Sequence, residues 1–176
     1  MLLINGSNRE KNNYKILKEL KQENDTLISL SHKKINYCLG CNSCKKKLEN
    51  YCIQEDDMKD IYMKLKENDK IIISSPLYMS HITGLLKNMI DRCYPFYHHN
   101  YFQGKTVYLI LTGQGSKEDN EEEIEAIKNY FKGISEWLYF EFKFLDYFST
   151  REKDNIKYDN SYEKRIKNIK EQIDER

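Results

Sequence analysis

Three consecutive isoleucines, Ile71-Ile72-Ile73, run into Ser74-Ser75-Pro76-Leu77-Tyr78-Met79 and then into a stretch with helical spacing. An apolar run without alternation suits a strand buried on both faces, as in a parallel sheet. Pro76 closes the run after about five residues, so length favours a strand, Ile71 to Ser74, over a helix. Leu85, Leu86, Met89, Ile90 and Cys93 then recur at three- and four-residue spacing among Lys87, Asn88, Asp91 and Arg92. A buried strand therefore turns through a short polar and aromatic loop into an amphipathic helix. Such a turn, at the carboxyl end of a strand, is where α/β sheets bind ligands.

The same alternation recurs along the chain. Leu2 to Ile4 form a first strand, cut off by Asn5-Gly6-Ser7-Asn8-Arg9, and a helix carrying Leu17 and Leu20 follows, with Asn12 or Asn13 as its expected cap. Strand, Gly/Ser turn and helix start make an anion site, to which Ser7 and Arg9 add donors. Thr26 to Leu30 read as the second strand and Thr106 to Leu111 as the fourth, ending at Thr112-Gly113-Gln114-Gly115. Ile124, Ile127, Phe131, Ile134 and Leu138 mark a long helix with Glu121 to Glu123 in its first turn, where the dipole favours acid. Tyr139 to Phe148 read as the fifth strand and Ser149 to Tyr158 as a polar loop. Tyr162, Ile166, Ile169 and Ile173 mark a last helix, capped within Asp159 to Ser161. The expected fold is α/β: a flavodoxin-like three-layer sandwich with a five-stranded parallel sheet in the order 2-1-3-4-5, forming one domain over residues 1–176. In that order the turns at Gly6 to Arg9 and Ser75 to Ser80 flank the same crevice.

Between the second strand and a helix starting near Asp56 lies a segment, at about 32–55, with no clear period. Loops in compact α/β domains run about 2–6 residues, so this length points to a function. It holds Cys38, Cys41, Cys44 and Cys52, with Lys45 to Lys47 directly after Cys44. The run C-x2-C-x2-C suits three irons of a [4Fe-4S] cube, with a fourth thiolate to complete it. The same residues also admit a structural zinc tetrathiolate, though zinc more often uses two separated C-x2-C pairs, and they admit free thiols that bind nothing. A disulfide is disfavoured in a reducing compartment. Cys93, on the apolar face of its helix, reads as core.

Composition excludes several classes. The 29 Lys+Arg nearly balance the 28 Asp+Glu, so no strong field points to nucleic acid. No apolar run is long enough for a membrane span and the first residues do not resemble a signal peptide, so a cytoplasmic location is expected. Asp56 and Asp57 read as helix capping, His81 as a loop histidine, and His98-His99 lack spaced partner carboxylates. Tyr94, Phe96, Tyr97, Tyr101 and Phe102 suit either a cover for a bound ring or a contact between subunits.

Four motifs in order carry a family resemblance: Asn-Gly-Ser-Asn-Arg with Asn13; Cys-x-Gly-Cys-x-x-Cys with Cys52 and Asp-Asp-Met; Ser-Ser-Pro-Leu-Tyr-Met; and Gly-Leu-Leu-Lys-Asn-Met-Ile-Asp-Arg. They resemble the NAD(P)H-dependent FMN reductase group of flavodoxin-like proteins, and the cysteines resemble its iron-sulfur flavoprotein branch. The resemblance spans roughly residues 1–115. It implies FMN, with its phosphate on Ser7, Arg9, Asn13 and Tyr14, its ring against Pro76, Leu77, Tyr78, Met79 and Ser80, and its pyrimidine edge near Thr112, Gly113, Gln114 and Gly115. Two positions depart from the group's pattern: Asn8 stands where proline is usual, and Tyr14 where a small hydroxyl residue is usual. Tyr14 carries its hydroxyl further out. The resemblance also implies NAD(P)H as co-substrate, an electron acceptor of small-molecule or protein class, and a homodimer or homotetramer. No catalytic side chain is required, because the flavin carries the chemistry. Two other functions fit the residues: an electron-transfer iron-sulfur flavoprotein, and a flavin- or metal-binding regulator without turnover.

Overall fold

The computed structural model describes residues 1–45, 52–151, 155–156 and 159–174. Five parallel strands form one sheet: β1 (Leu2–Asn5), β2 (Thr26–Ser29), β3 (Lys70–Pro76), β4 (Thr106–Gly113) and β5 (Glu141–Ser149), ordered β2-β1-β3-β4-β5. The helices are α1 (Asn12–Leu20), α2 (Met58–Glu67), α3 (Gly84–Asp91), α4 (Tyr94–His99), α5 (Glu121–Leu138) and α6 (Tyr162–Asp174). Side-chain alternation assigns the two cores. Leu2, Ile4, Ile71 and Ile73 meet Ile61, Leu86 and Phe131 on the face covered by α2, α3 and α5. Leu3, Ile72, Tyr108 and Ile110 meet Leu17 and Ile169 on the face covered by α1 and α6. The triple isoleucine is buried on both faces because its neighbours on the strand point into different layers.

The strands at the functional edge are longer than the sequence predicts. β3 continues through Ser75 and Pro76, which pair with Leu111 and Thr112. Leu77 N–H donates to the Thr112 carbonyl at 2.7 Å, so alternation turns the Pro76 nitrogen towards β1, which has already ended at Asn5. A proline is tolerated where no ladder partner remains. Thr112 and Gly113 likewise belong to β4. β2 stops at Ser29, and Leu30–His32 turn as a single 3-10 turn. β5 starts at Glu141, because Tyr139 takes a left-handed φ of 61° to close α5. A bulge between Leu109 and Ile110 in the β4–β5 register brings Tyr147 opposite Leu111.

The expected asparagine cap of α1 is corrected. Its cap position is Lys11, which makes no side-chain capping bond, and Asn12 and Asn13 are buried inside the helix. The better cap is Thr83, whose hydroxyl accepts Leu86 N–H at 3.0 Å and donates to the Gly6 carbonyl at 2.6 Å. Asp159 opens α6 through its carbonyl, which accepts Tyr162 N–H, while its carboxylate takes Ser161. Helix α4 was not foreseen, since Tyr-Pro-Phe-Tyr carries no helical period. Part of the predicted loop Ser149 to Tyr158, and Lys46 and Lys47, lie outside the described residues.

Candidate cofactor cleft and cysteine pocket

The carboxyl ends of β1, β3 and β4 open into one cleft of about 630 Å³. Ser7, Arg9 and Asn13, the run Pro76 to Ser80, and the run Thr112 to Gly115 all line it. Tyr14 is half-buried on α1 and is not among the lining residues. Lys11, Asn120 and Thr150, which carry no expectation from sequence, and Asn12, expected only as a cap, also line the cleft. Asn120 and Thr150 carry no local signal, because only the sheet order brings the start of α5 and the end of β5 to this edge.

Polar side chains tie the cleft floor together. The Asn13 amide donates to Ser74 Oγ at 2.7 Å and accepts from the Thr112 hydroxyl at 2.9 Å, linking α1 to β3 and β4. Asn5 accepts Ser7 N–H at 3.2 Å, and Ser7 Oγ accepts Arg9 N–H at 3.1 Å, which folds the first turn tightly. Gly6 is needed there because a Cβ would sit 3.1 Å from both the Ser74 carbonyl and Leu86. Arg9 and Lys11 are the charged lining residues, with no carboxylate among those described. The first turn of a helix leaves N–H groups without intrahelical acceptors, and α1 begins at this wall. The donor set fits a phosphate ester.

The lip of the cleft is strained. Met79 and Ser80 take φ of 48° and 59°, inside a tight turn closed by reciprocal backbone bonds between Tyr78 and His81. Left-handed non-glycine residues cost about 1–3 kcal/mol each and gather at ligand sites. The Met79 side chain is 99% exposed. His81 packs edge-on to Tyr130, with ring centroids 5.3 Å apart, and does not line the cleft. On the opposite wall Tyr147, 1% exposed, donates its hydroxyl to the Gly115 carbonyl at 2.7 Å and accepts from Asn120 at 3.1 Å. Burial pushes its phenol up to about 12, which keeps it a donor.

The five aromatics from Tyr94 to Phe102 lie elsewhere. Phe96 and Phe102 are core, and Tyr94 and Tyr97 line a second, apolar groove of about 510 Å³ with Tyr130, Gly133 and Trp137. None of the five lines the cleft.

Cys38, Cys41, Cys44 and Cys52 line one small pocket, of about 70 Å³, against the α3–α4 junction. All are free thiols, the first two exposed and the others half-buried. Among the described residues no three His, Cys, Asp or Glu side chains are grouped as a metal site. The sulfurs share a pocket without standing at ligating spacing. Hydrogen bonds from Ser43 hold the Cys41 thiol below its ordinary range; burial, then the neighbouring thiolates, push Cys44 up. The segment leaves and re-enters the fold through a closed stem. Lys34 and Asp57 exchange two bonds, Asn36 N–H donates to Asp56 at 3.0 Å, and Gln54 donates to the Tyr37 carbonyl at 3.1 Å. Asp56 also accepts Met58 N–H, as a helix-opening residue should, but its main partner is Arg92, through two contacts of 2.7 and 3.2 Å. Reading Asp56 and Asp57 as caps alone is therefore corrected: both fasten the stem. Neither the Arg92 pairing nor the stem has a sequence signal, because 36 residues separate Asp56 from Arg92.

A parallel sheet in this order, with a ligand-sized crevice where the order reverses, defines the flavodoxin-like class. The chain belongs to the NADPH-dependent FMN reductase family, whose pattern it matches over residues 1–133. An iron-sulfur flavoprotein of Archaeoglobus fulgidus is 36% identical over 107 residues, 58% of this chain and 48% of that one. An iron-sulfur flavoprotein of Methanocaldococcus jannaschii is 37% identical over 106 residues, 59% of this chain and 53% of that one. The chain spans about half the length of these relatives. The structure of an FMN-dependent NADH-azoreductase from Bacillus anthracis, in complex with FMN, superposes with a TM-score of 0.68 at 16% identity, covering 98% of this chain and 96% of that one. At that identity the likeness is one of fold. No helix among the described residues is long and apolar enough to cross a membrane.

Proposed function

We propose that this chain is an FMN-dependent oxidoreductase that takes hydride from NAD(P)H and passes electrons to an acceptor of quinone, nitro, flavin or protein class. The carrying observation is the single cleft, in which three loops distant in sequence meet and the lining charges are Arg9 and Lys11. Ser7, Arg9, Lys11 and the start of α1 hold the phosphate. Asn13 fixes that wall to β3 and β4. Pro76 to Ser80 orient the ring, and Gly113 to Gly115 present backbone groups to its polar edge. When bound, FMN supplies the hydride-accepting and electron-passing chemistry. The test is an anaerobic absorbance spectrum of the full chain with FMN, before and after NAD(P)H. Flavin bands that bleach support the reading, and a chain that takes up no FMN overturns it. Arg9→Ala is expected to weaken FMN about 10- to 100-fold, the worth of one charge-assisted hydrogen bond, and to leave riboflavin affinity unchanged. Fluorescence titration with both ligands measures this.

A second reading, a sulfur-ligated metal centre that makes the chain an electron-transfer iron-sulfur flavoprotein, is supported by the one pocket that all four thiols share. Iron and sulfide counted after anaerobic preparation test it.

We infer that a homo-oligomer would use the apolar groove as its contact. Gly133 stands in the middle of α5, yet a Cβ there would meet nothing within 4 Å. A helical glycine costs about 1 kcal/mol, so internal packing does not account for it, whereas close approach of a second copy does. Trp137, 65% exposed on the rim of the groove, suits a contact with a second copy. Trp137→Glu is expected to yield monomer in sedimentation, and an unchanged mass removes this contact.

A further inference from the structure

The loop after β4 spends its carbonyl oxygens inside the protein. The Gly113 carbonyl accepts Thr150 N–H at 2.7 Å and the Thr150 hydroxyl at 3.2 Å. In a trans peptide the N–H points opposite to the C=O, so this bond aims Gln114 N–H away from β5. The next clamp is Tyr147, which reaches the Gly115 carbonyl at 2.7 Å from 32 residues further along the chain. Ser116 N–H donates to the Asp119 carboxylate at 2.9 Å, so the Gly115–Ser116 peptide is held at both ends. The direction of the Tyr147 bond is also fixed. The Asn120 amide donates to the Ser116 carbonyl at 2.8 Å and to the Tyr147 oxygen at 3.1 Å, which leaves the one phenolic proton for Gly115. Tyr147 is buried and does not itself line the cleft. Gln114 and Gly115 do line it, and among the described residues their N–H groups have no hydrogen-bond acceptor. The loop is thus built to offer donors to a ligand.

We propose that Tyr147 is a positioning residue that tunes the flavin: by holding the Gly115 carbonyl inside the protein, it keeps the loop from Gly113 to Gly115 a set of N–H donors and so favours the reduced ring over the oxidised one. The inference rests on the FMN reading of the cleft. Hydride from NAD(P)H brings an electron pair with its proton, so the reduced ring carries a negative charge that the oxidised ring lacks. Donors preset at the ring's polar edge bind the charged form more strongly than the neutral one. A carbonyl released into the same space would oppose that charge.

The test loads the full chain and its Tyr147→Phe variant with FMN and measures the midpoint potential of the bound flavin anaerobically. Tyr147→Phe keeps the ring in the core and removes only the hydroxyl. Its potential is expected to fall below that of the wild type by about tenfold in the redox equilibrium, the worth of one hydrogen bond to a charged group, which is about 30 mV for an electron pair. Phe142→Leu is the control. It loosens the other end of β5, where Phe142 stacks on Phe131 with ring centroids 5.4 Å apart, and is expected to keep the wild-type potential. An equal fall in Phe142→Leu makes the potential a reporter of strand packing and overturns the proposal. Equal potentials in wild type and Tyr147→Phe also overturn it, and leave the FMN reading standing. A wild type that takes up no FMN ends both. If Tyr147→Phe folds but holds no FMN, the wild type decides by itself. Its bound flavin is expected to have a potential above that of free FMN, because the reduced form is held more tightly, and a potential at or below the free value overturns the proposal.

Discussion

Asp56→Ala is expected to lower the unfolding free energy by about 3–5 kcal/mol, measured by urea denaturation at neutral pH. The size comes from what is left behind. Asp56 and Arg92 are each 1% exposed at the side chain, so removing the carboxylate strands a guanidinium in the interior. It also releases the Asn36 and Met58 N–H groups, which Asp56 accepts at 3.0 and 3.1 Å. The effect depends on pH in a stated direction. Burial pushes the Asp56 carboxyl up, but hydrogen bonds from Arg92, Asn36 and Met58 hold it below the ordinary aspartate range. A folded-state pKa below the unfolded value of about 3.9 gives stability that is present above that value and lost as pH falls through the folded one. The gap between wild type and Asp56→Ala is therefore expected to stay constant above about pH 4 and to narrow below it. A gap that widens in acid would show that Asp56 is not held as the anion.

Gly113→Ala is expected to cost about 1–3 kcal/mol in stability and to abolish retention of FMN through purification. A Cβ at position 113 would lie 2.5 Å from the Tyr147 hydroxyl and 3.2 Å from its ring. Tyr147 cannot swing aside cheaply. It is fixed in β5, and its hydroxyl holds the Gly115 carbonyl and Asn120, both on the cleft wall. The clash therefore moves the wall of the cleft itself. Tyr147→Phe removes the hydroxyl that the Cβ would strike, so Gly113→Ala on that background is expected to cost less than the sum of the two changes. Thermal melts of the four proteins, with FMN content by absorbance, check both parts. Additive losses would place the clash elsewhere.

Much of the fold was legible in the chain because its signals are local. The continuous apolar run at Ile71 to Ile73 announces a strand covered on both sides, and the structure divides it between two helix layers. The spacing of Ile124, Ile127, Phe131 and Leu138 announces α5, which buries that same face. Strand ends were less legible. Pro76 looks like a stop, yet a proline is admissible as the last residue of a strand whose neighbour on that side has finished, and only the pairing with β1 shows that it has. Asn13 lines the crevice, but it does not cap its helix. Its amide is committed to Ser74 and Thr112, two partners that the chain gives no means of pairing with it.

The sequence by itself determined the strand order, every helix but α4, and the family, since composition, period and motif order are properties of neighbours along the chain. The tertiary structure decided which groups converge. It brought Asn120 and Thr150 to the cleft, kept the aromatic run of α4 away from it, and set Arg92 against both ends of the cysteine loop. Those outcomes depend on contacts between residues far apart in sequence. Burial makes such contacts strong by removing competing water, and no local pattern encodes which of many chemically suitable partners will be the one enclosed.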